Sequence, residues 1–300
     1  MKSIDEFVDH FISGDNLEVL KEMPSDSIDL IFTSPPYVDL RNYGVKDASI
    51  KSDQYTEWFV ERAKEFKRVL KPTGNFVLNI NDRVIKGKQQ LFVFEIVLAL
   101  CNELEFNLVR DYIWYNPSSP PNIYSRGNLG RTKKSHEYCF WFSKSDKWKF
   151  NMDPIRKPYS KDMQKYLEGR GKGSRSDNTR PSTYSFDCSK TWTDHGGSDP
   201  GSVIVLGNNN SNDVFMKWCK EKKISHPARF PEKLADFFIL AGSDPGDIVL
   251  DPFSGSGTCA VSAQRNGRKW IGIDINEDYC ELSKERMKIE FPDCEWNWGD

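Results

Sequence analysis

The 300-residue sequence predicts a doubly wound α/β fold carrying one inserted irregular lobe. Three observations predict it. Short apolar runs that end in a turn or an acid recur along the chain, amphipathic stretches of helical length separate them, and this alternation lapses only across residues 116–225. The length suits one large domain, or one α/β domain plus an insert, with room for a buried sheet.

Taken in order, a short strand is expected at 10–13 and a second at 29–32, Asp29-Leu30-Ile31-Phe32. A helix follows at 55–70. It is closed by Leu70-Lys71-Pro72-Thr73-Gly74, whose Pro and Gly end a helix and turn the chain into the next strand at 75–80. A helix at 91–104 and strands at 108–114 and 137–142 come next. After the irregular stretch, strands at 247–251 and 270–273 alternate with helices at 257–266 and 277–289, which is the pattern of a parallel sheet covered on both faces. Residues 116–225 are rich in Pro, Gly, Ser, Asn, Lys and aromatics and read as a lobe. Its basic, glycine-rich run 168–180 is expected to be mobile without a partner.

Overall charge is bland, with 42 Lys and Arg against 44 Asp and Glu, but its distribution is not. Residues 111–190 hold 16 Lys and Arg against 8 Asp and Glu, a local +8 that leaves −10 for the rest. Seven scattered cysteines with no Cys-x-x-Cys pair and no clustered His argue against a zinc site or a disulfide framework, and fit a reducing cytoplasm. The acidic start and the lack of any run of about 18 apolar residues predict neither a signal peptide nor a membrane span.

Two motifs carry chemistry. Thr33-Ser34-Pro35-Pro36-Tyr37 directly follows the 29–32 strand, at the carboxyl end where open α/β sheets place ligands. Pro35 and Pro36 have fixed φ and no N–H, so a rigid turn presents carbonyl oxygens and the Ser34 hydroxyl as acceptors. Such a site orients an amine by accepting its hydrogens, and Tyr37 offers a flat face for a planar base. A plain Pro-Pro turn would carry the same residues. The second motif, Asp251-Pro252-Phe253-Ser254-Gly255-Ser256-Gly257-Thr258, opens a helix after a strand. Asp274 ends the next strand in Ile271-Gly272-Ile273-Asp274, placed to accept from ribose hydroxyls. Taken alone this nucleoside cradle fits a nicotinamide or flavin enzyme as well as a methyltransferase, although the third glycine of the dinucleotide fingerprint is missing.

Together with His226-Pro227-Ala228-Arg229-Phe230-Pro231-Glu232-Lys233-Leu234, just ahead of the second motif, these elements resemble the DNA amino-methyltransferases. Their order, Ser-Pro-Pro-Tyr before the glycine-rich element, is similar to the circularly permuted β class, and the resemblance runs from Gly14 to Tyr279. It implies a Rossmann-like, S-adenosylmethionine-dependent fold divided into a catalytic half (1–115), a target-recognition region with some sheet-completing strands (116–225) and a cofactor-binding half (226–300). It further implies that Phe253, Ser254, Gly255, Ser256, Gly257 and Thr258 wrap the methionine part of S-adenosylmethionine, that Asp251 belongs to the same cofactor-binding set and that Asp274 takes the ribose. Asp15, in Gly14-Asp15-Asn16, would reach the adenine or simply cap a helix. His226, Pro227 and Lys233 would close the methionine end, where His226-Pro227 could equally be a structural turn. No metal is implied.

In that family the first residue of the catalytic element correlates with the target, Asp with adenine N6 and Ser with cytosine N4. Ser34, Pro35, Pro36 and Tyr37 therefore imply a cytosine-N4 methyltransferase acting on double-stranded DNA after base flipping, with adenine N6 as the alternative. Relatives place an acid at the end of the 75–80 strand, where this chain has Asn79, leaving Asp82 as the nearby candidate acceptor. His136-Glu137 is read as structural support for the pocket. The basic lobe, with Lys133, Lys134, Lys144, Lys147, Lys149, Arg156, Lys157 and the run ending at Arg180, is expected to neutralise phosphates. Trp114, Trp141, Trp148 and Trp192 receive no role. The resemblance also implies a restriction-modification setting with a cognate endonuclease, and a face such as that of 91–104 could serve a homodimer. An NAD-dependent oxidoreductase leaves the Ser-Pro-Pro-Tyr element unexplained, and a non-catalytic DNA-binding module leaves the cofactor elements unexplained.

Overall fold

The structure, a computed structural model, describes residues 2–36, 53–120, 130–168, 193–207, 214–223 and 229–298. It resolves into two compact units, a larger one of Met1–Phe150 with Ser202–Asp300 and a smaller one of Asn151–Gly201.

The larger unit is built on an eight-stranded sheet. Its strands are β1 (His10–Ser13), β2 (Ile28–Thr33), β3 (Leu70–Ile80), β6 (Asn107–Tyr115), β7 (His136–Ser143), β8 (Val203–Val205), β9 (Ile248–Asp251) and β10 (Lys269–Asp274). They lie in the order β1-β10-β9-β2-β3-β7-β6-β8. A separate two-stranded ribbon pairs β4 (Val84–Ile85) with β5 (Lys88–Gln89). From β1 to β3 every neighbour is parallel, so five carboxyl ends share one edge. The chain winds outward in opposite directions from β9 and β2, which makes their junction the switch point where such sheets open a crevice.

Helices α1 (Asn16–Glu22), α2 (Tyr55–Val69) and α3 (Phe92–Asn102) cover one face, where Ile31, Phe59, Phe66, Phe76, Ile96 and Phe142 form a continuous core. Because side chains alternate across a strand, Phe32 points to the other face and meets Phe238 of α6 (Glu232–Gly242), ring centroids 5.3 Å apart. Helices α5 (Val214–Lys222), α7 (Thr258–Arg265) and α8 (Glu277–Glu290) complete the larger unit. α5 buries only Phe215 and Cys219, α7 is buried all round from Thr258 to Ala263, and α8 turns Cys280, Leu282, Ser283, Arg286 and Met287 inward. Gly242 ends α6 where Leu30 and Trp141 would lie 3.3 Å from an added Cβ, so a glycine lets the helix end close to the sheet without displacing them.

The sheet departs from the parallel expectation at β7, which is antiparallel to both β3 and β6. An alternating or fully buried apolar run looks the same in either direction, so strand polarity is invisible in the pattern. The expected turn at Lys71–Gly74 is instead a bulge within β3. Leu70 pairs with Ile28 and Asn75 with Leu30, and the intervening residues loop out of the ladder. In the smaller unit, a 3-10 turn at Asp153–Ile155 precedes α4 (Lys161–Leu167), and Lys157 bridges to Ser198. Gly197 packs so tightly there that a Cβ would stand 2.7 Å from the Lys157 carbonyl. The run expected to be mobile falls, from 169 on, outside the described residues, as does Trp192.

Candidate active site at the carboxyl edge of the sheet

The two chemistry-bearing motifs emerge side by side. Thr33 ends β2 and Asp251 ends β9, neighbouring strands at the switch point, and the Thr33 hydroxyl donates to Asp251 Oδ1 at 2.6 Å. The same oxygen accepts from the Phe253 amide at 3.1 Å. Asp251 therefore ties the Ser34-Pro35-Pro36 turn to the glycine-rich turn. Burial outweighs these hydrogen bonds and pushes its carboxyl up to about 6.

That shift has a testable sign. Asp251 has a folded value above its ordinary 3.8, so the stability it contributes is complete below pH ~4 and is lost as pH rises through about 6. Asp251→Asn keeps the Oδ1 acceptor and removes the buried charge. The variant should gain on the wild type by up to about 3 kcal/mol between pH ~4 and pH ~8. Thermal unfolding across that range measures it, and a variant-to-wild-type difference that stays flat with pH would refute the buried-charge account.

The glycine-rich turn has the features of a cradle. Gly255 and Gly257 adopt left-handed φ of 55° and 69°, which keeps side chains out of its concave side. Gly272 on β10 leaves space that a Cβ would fill, 2.6 Å from the Phe11 ring and 2.7 Å from Ser254 Oγ. Among the described residues the buried hydroxyls of Ser254 and Ser256 have no hydrogen-bond partner, so two polar groups are placed to meet a ligand. At the end of β10 the Asp274 carboxylate accepts from the Gly255 amide at 2.8 Å and the Asn276 amide at 2.9 Å. Each oxygen retains a lone pair for a further donor such as a hydroxyl. Burial raises Asp274 above the ordinary carboxylate value despite those amides. The donors, the small residues and the acid suit a nucleoside with a short polar chain.

Asp15 follows β1 at the same edge. It caps α1 by accepting from the Leu17 amide at 3.0 Å, and both of its oxygens accept from Arg62, at 3.0 and 3.1 Å. The helix-cap alternative is thus real, and the carboxylate remains partly exposed beside the cradle. Lys233 lies exposed on the first turn of α6 while its neighbour Glu232 turns inward. Tyr37, His226 and Pro227 lie outside the described residues.

Several residues to which the sequence assigns no role hold the site in place. Arg286 of α8 is fully buried and donates to the Ser256 carbonyl at 2.9 Å, Thr258 Oγ1 at 3.0 Å and Glu232 Oε1 at 2.6 Å. It thereby locks the glycine-rich turn from behind. Glu232 is held below the ordinary value because Arg265 and Arg286 overcome its burial. Ser283 donates to the Gly255 carbonyl at 2.9 Å, and Asn16 donates to the Pro252 carbonyl at 2.8 Å. In sequence, Glu285-Arg286-Met287-Lys288 looks like any charged helix face, so no pattern flags Arg286.

Beyond β3, Asn79 is buried and donates to the Tyr138 carbonyl at 3.2 Å and to Glu137 at 3.3 Å. Asp82 is paired with Lys134 and accepts from Gln89 at 2.6 Å. Burial and Lys134 lower His136, favouring its neutral form. Among the described residues no group of three or more His, Cys, Asp or Glu could hold a metal, and no helix is long and apolar enough to cross a membrane.

The structure corrects part of the expected phosphate surface. Lys134, Lys144, Lys149 and Arg156 are engaged with Asp82, Asp26, Asp244 and Asp247, and Asp153 and Asp199, respectively. A local charge excess counts residues without regard to their partners, which here are distant acids for the three lysines and both a near and a distant one for Arg156. Lys133, Lys147 and Lys157 are exposed. Trp114 and Trp141 belong to the core, donating to the Leu206 carbonyl and to Asn75, while Trp148 is exposed.

The sequence matches a family described as DNA methylase, of N6 and N4 methyltransferases, over residues 28–285. It is 35% identical over 282 residues to the type II methyltransferase M.PvuII of Proteus hauseri, covering 91% of this chain and 82% of that protein. It is 29% identical over 280 residues to the DNA adenine methyltransferase YhdJ of Escherichia coli (strain K12), covering 93% and 82%. Among solved structures, the PvuII DNA methyltransferase (cytosine-N4-specific) superimposes with a TM-score of 0.70 at 28% identity, covering 96% of this chain and 87% of that one.

Proposed function

The chain belongs to the DNA methylase family of N6 and N4 methyltransferases, and from that premise we propose that it methylates the exocyclic N4 of cytosine in duplex DNA with S-adenosylmethionine as methyl donor. The observation that carries this is the juxtaposition of an amine-accepting turn and a nucleoside cradle, joined by the Thr33–Asp251 hydrogen bond. Phe253, Ser254, Gly255, Ser256, Gly257, Thr258 and Asp274 would hold the cofactor, with Asp15 at its adenine end and His226, Pro227 and Lys233 at its methionine end. When bound, S-adenosylmethionine supplies a sulfonium methyl as electrophile.

The chain's own residues then prepare the amine. The target base leaves the stack and Tyr37 gives it a face on which to lie. The Ser34 hydroxyl and the Pro35 carbonyl accept the N4 hydrogens, which fixes the nitrogen lone pair in one direction. Proline at both positions removes N–H groups that would otherwise compete as donors. Asn79 cannot take a proton and Asp82 is bound to Lys134 and Gln89, so the proton passes by way of Ser34 to water.

The choice of cytosine rests on the neutral Ser34 and on similarity to M.PvuII; similarity to YhdJ supports adenine N6 as the second reading. Residues 116–225 are assigned target recognition, and the setting is a cytoplasmic restriction-modification system whose endonuclease shares the site. Digesting methylated DNA to nucleosides for mass spectrometry should yield N4-methylcytosine. N6-methyladenine would overturn the base, and the absence of either would overturn the activity. Methylation-sensitive sequencing of the same DNA then reads the site.

A further inference from the structure

One face of α2 touches three parts of the site at once. Tyr55, Trp58 and Arg62 stand three and four residues apart and so project from the same side of the helix. Tyr55, 1% exposed, donates its hydroxyl to the Pro36 carbonyl at 2.8 Å. Trp58 lies against Phe253 of the glycine-rich turn, ring centroids 5.6 Å apart, and against Tyr55 at 5.5 Å. Arg62 covers the Trp58 ring at 4.3 Å while it holds both oxygens of Asp15. The helix is anchored in the core by Phe59 and Phe66, so these three contacts are made from one rigid body.

We propose that this stripe is a strut that registers the catalytic turn against the cofactor cradle, with Tyr55 positioning the turn and Trp58 with Arg62 forming a wall of the nucleoside pocket; it rests on the methyl-transfer reading above. The physical need is specific to a Pro-Pro turn. Neither Pro35 nor Pro36 can donate a backbone hydrogen bond, so the turn must be fixed through its carbonyls and by neighbours. Tyr55 supplies such a bond to Pro36, next to the carbonyl assigned to the amine. Without it the turn keeps its φ angles and the Thr33–Asp251 tether at its start but loses the constraint at Pro36, and displacements of about 1 Å cost roughly a hundredfold in rate.

Tyr55→Phe tests the strut, because it removes one hydroxyl and keeps the ring that packs on Trp58 and Phe92. At saturating DNA and S-adenosylmethionine, the single-turnover rate should fall about tenfold to a hundredfold. Affinity for S-adenosylhomocysteine, measured by calorimetry, should hold within about twofold, and the melting temperature within about 4 °C. Trp58→Leu should show the opposite split, weakening S-adenosylhomocysteine about tenfold or more through loss of the aromatic wall. A Tyr55→Phe enzyme with the wild-type single-turnover rate, or one that loses cofactor affinity in step with rate, overturns the positioning role. A Trp58→Leu enzyme that binds S-adenosylhomocysteine normally overturns the wall. Wild-type protein that binds no S-adenosylhomocysteine and methylates no DNA overturns the functional reading itself, before any variant is compared.

Discussion

Replacing Ser34 by Ala is expected to slow methyl transfer by about 10²–10³-fold while leaving cofactor affinity within about twofold. Ser34 is half-buried just beyond β2, and its hydroxyl is the one side-chain polar group that the described part of the turn can offer an amine. Pro35 and Pro36 contribute only carbonyls. The substitution removes that acceptor and leaves the Thr33–Asp251 bond, which joins the turn to the cradle and uses the preceding residue. An interaction made to the reacting amine should appear in the single-turnover rate and not in S-adenosylhomocysteine binding. Wild-type turnover in Ser34→Ala would remove Ser34 from the reaction, and with it the main residue-level argument for cytosine.

Asp274→Ala is expected to produce the mirror-image result, a loss of cofactor affinity of about 30-fold to a thousandfold, or roughly 2–4 kcal/mol. Two losses add. The Gly255 and Asn276 amides lose their shared carboxylate, which loosens the glycine-rich turn, and any ligand hydroxyl loses its charged acceptor. Asp274→Asn separates them: its one carbonyl oxygen can still serve a single amide, so the turn should be partly held while hydroxyl recognition is weakened. Calorimetry with S-adenosylhomocysteine reads both variants. Normal affinity in Asp274→Ala would show that cofactor binding depends on neither the shaping of the turn by the acid nor its acceptance of a ligand hydroxyl.

These effects can be foreseen from Ser34 and Asp274 because each sits in a local pattern, a strand followed by a turn, that a chain segment determines by itself. The same holds for the strands that carry them, for the helices at 55–70 and 91–104, and for the left-handed glycines of the cradle, whose conformations demand glycine wherever the strand lies. Asp15 was legible with two roles, and the structure gives it both a cap and a partner in Arg62. Helix α6 is not legible in the sequence, because its apolar run after Glu232-Lys233 gives no clear choice between helix and strand.

The supporting residues were not legible for a different reason. Arg286 lies 30 residues from the Ser256 carbonyl it holds, Asn16 lies 236 from Pro252, and Lys149 lies 98 from Asp247. A buried arginine and a solvated one have the same local sequence, and a lysine poised for phosphate differs from one paired with aspartate only in what folds against it.

By itself the sequence determined the alternation of strands and helices, the two motifs at strand ends, and the neutral Ser34 ahead of the Pro-Pro pair, since each depends on periodicity or on side-chain chemistry within a few residues. Only the tertiary structure decided the direction of β7, the pairing of the basic residues, the clamp of Arg286 on the cradle, and the α2 stripe that joins cradle to turn. Those features depend on which distant segments become neighbours, and burial against a partner leaves no trace in the local order of residues.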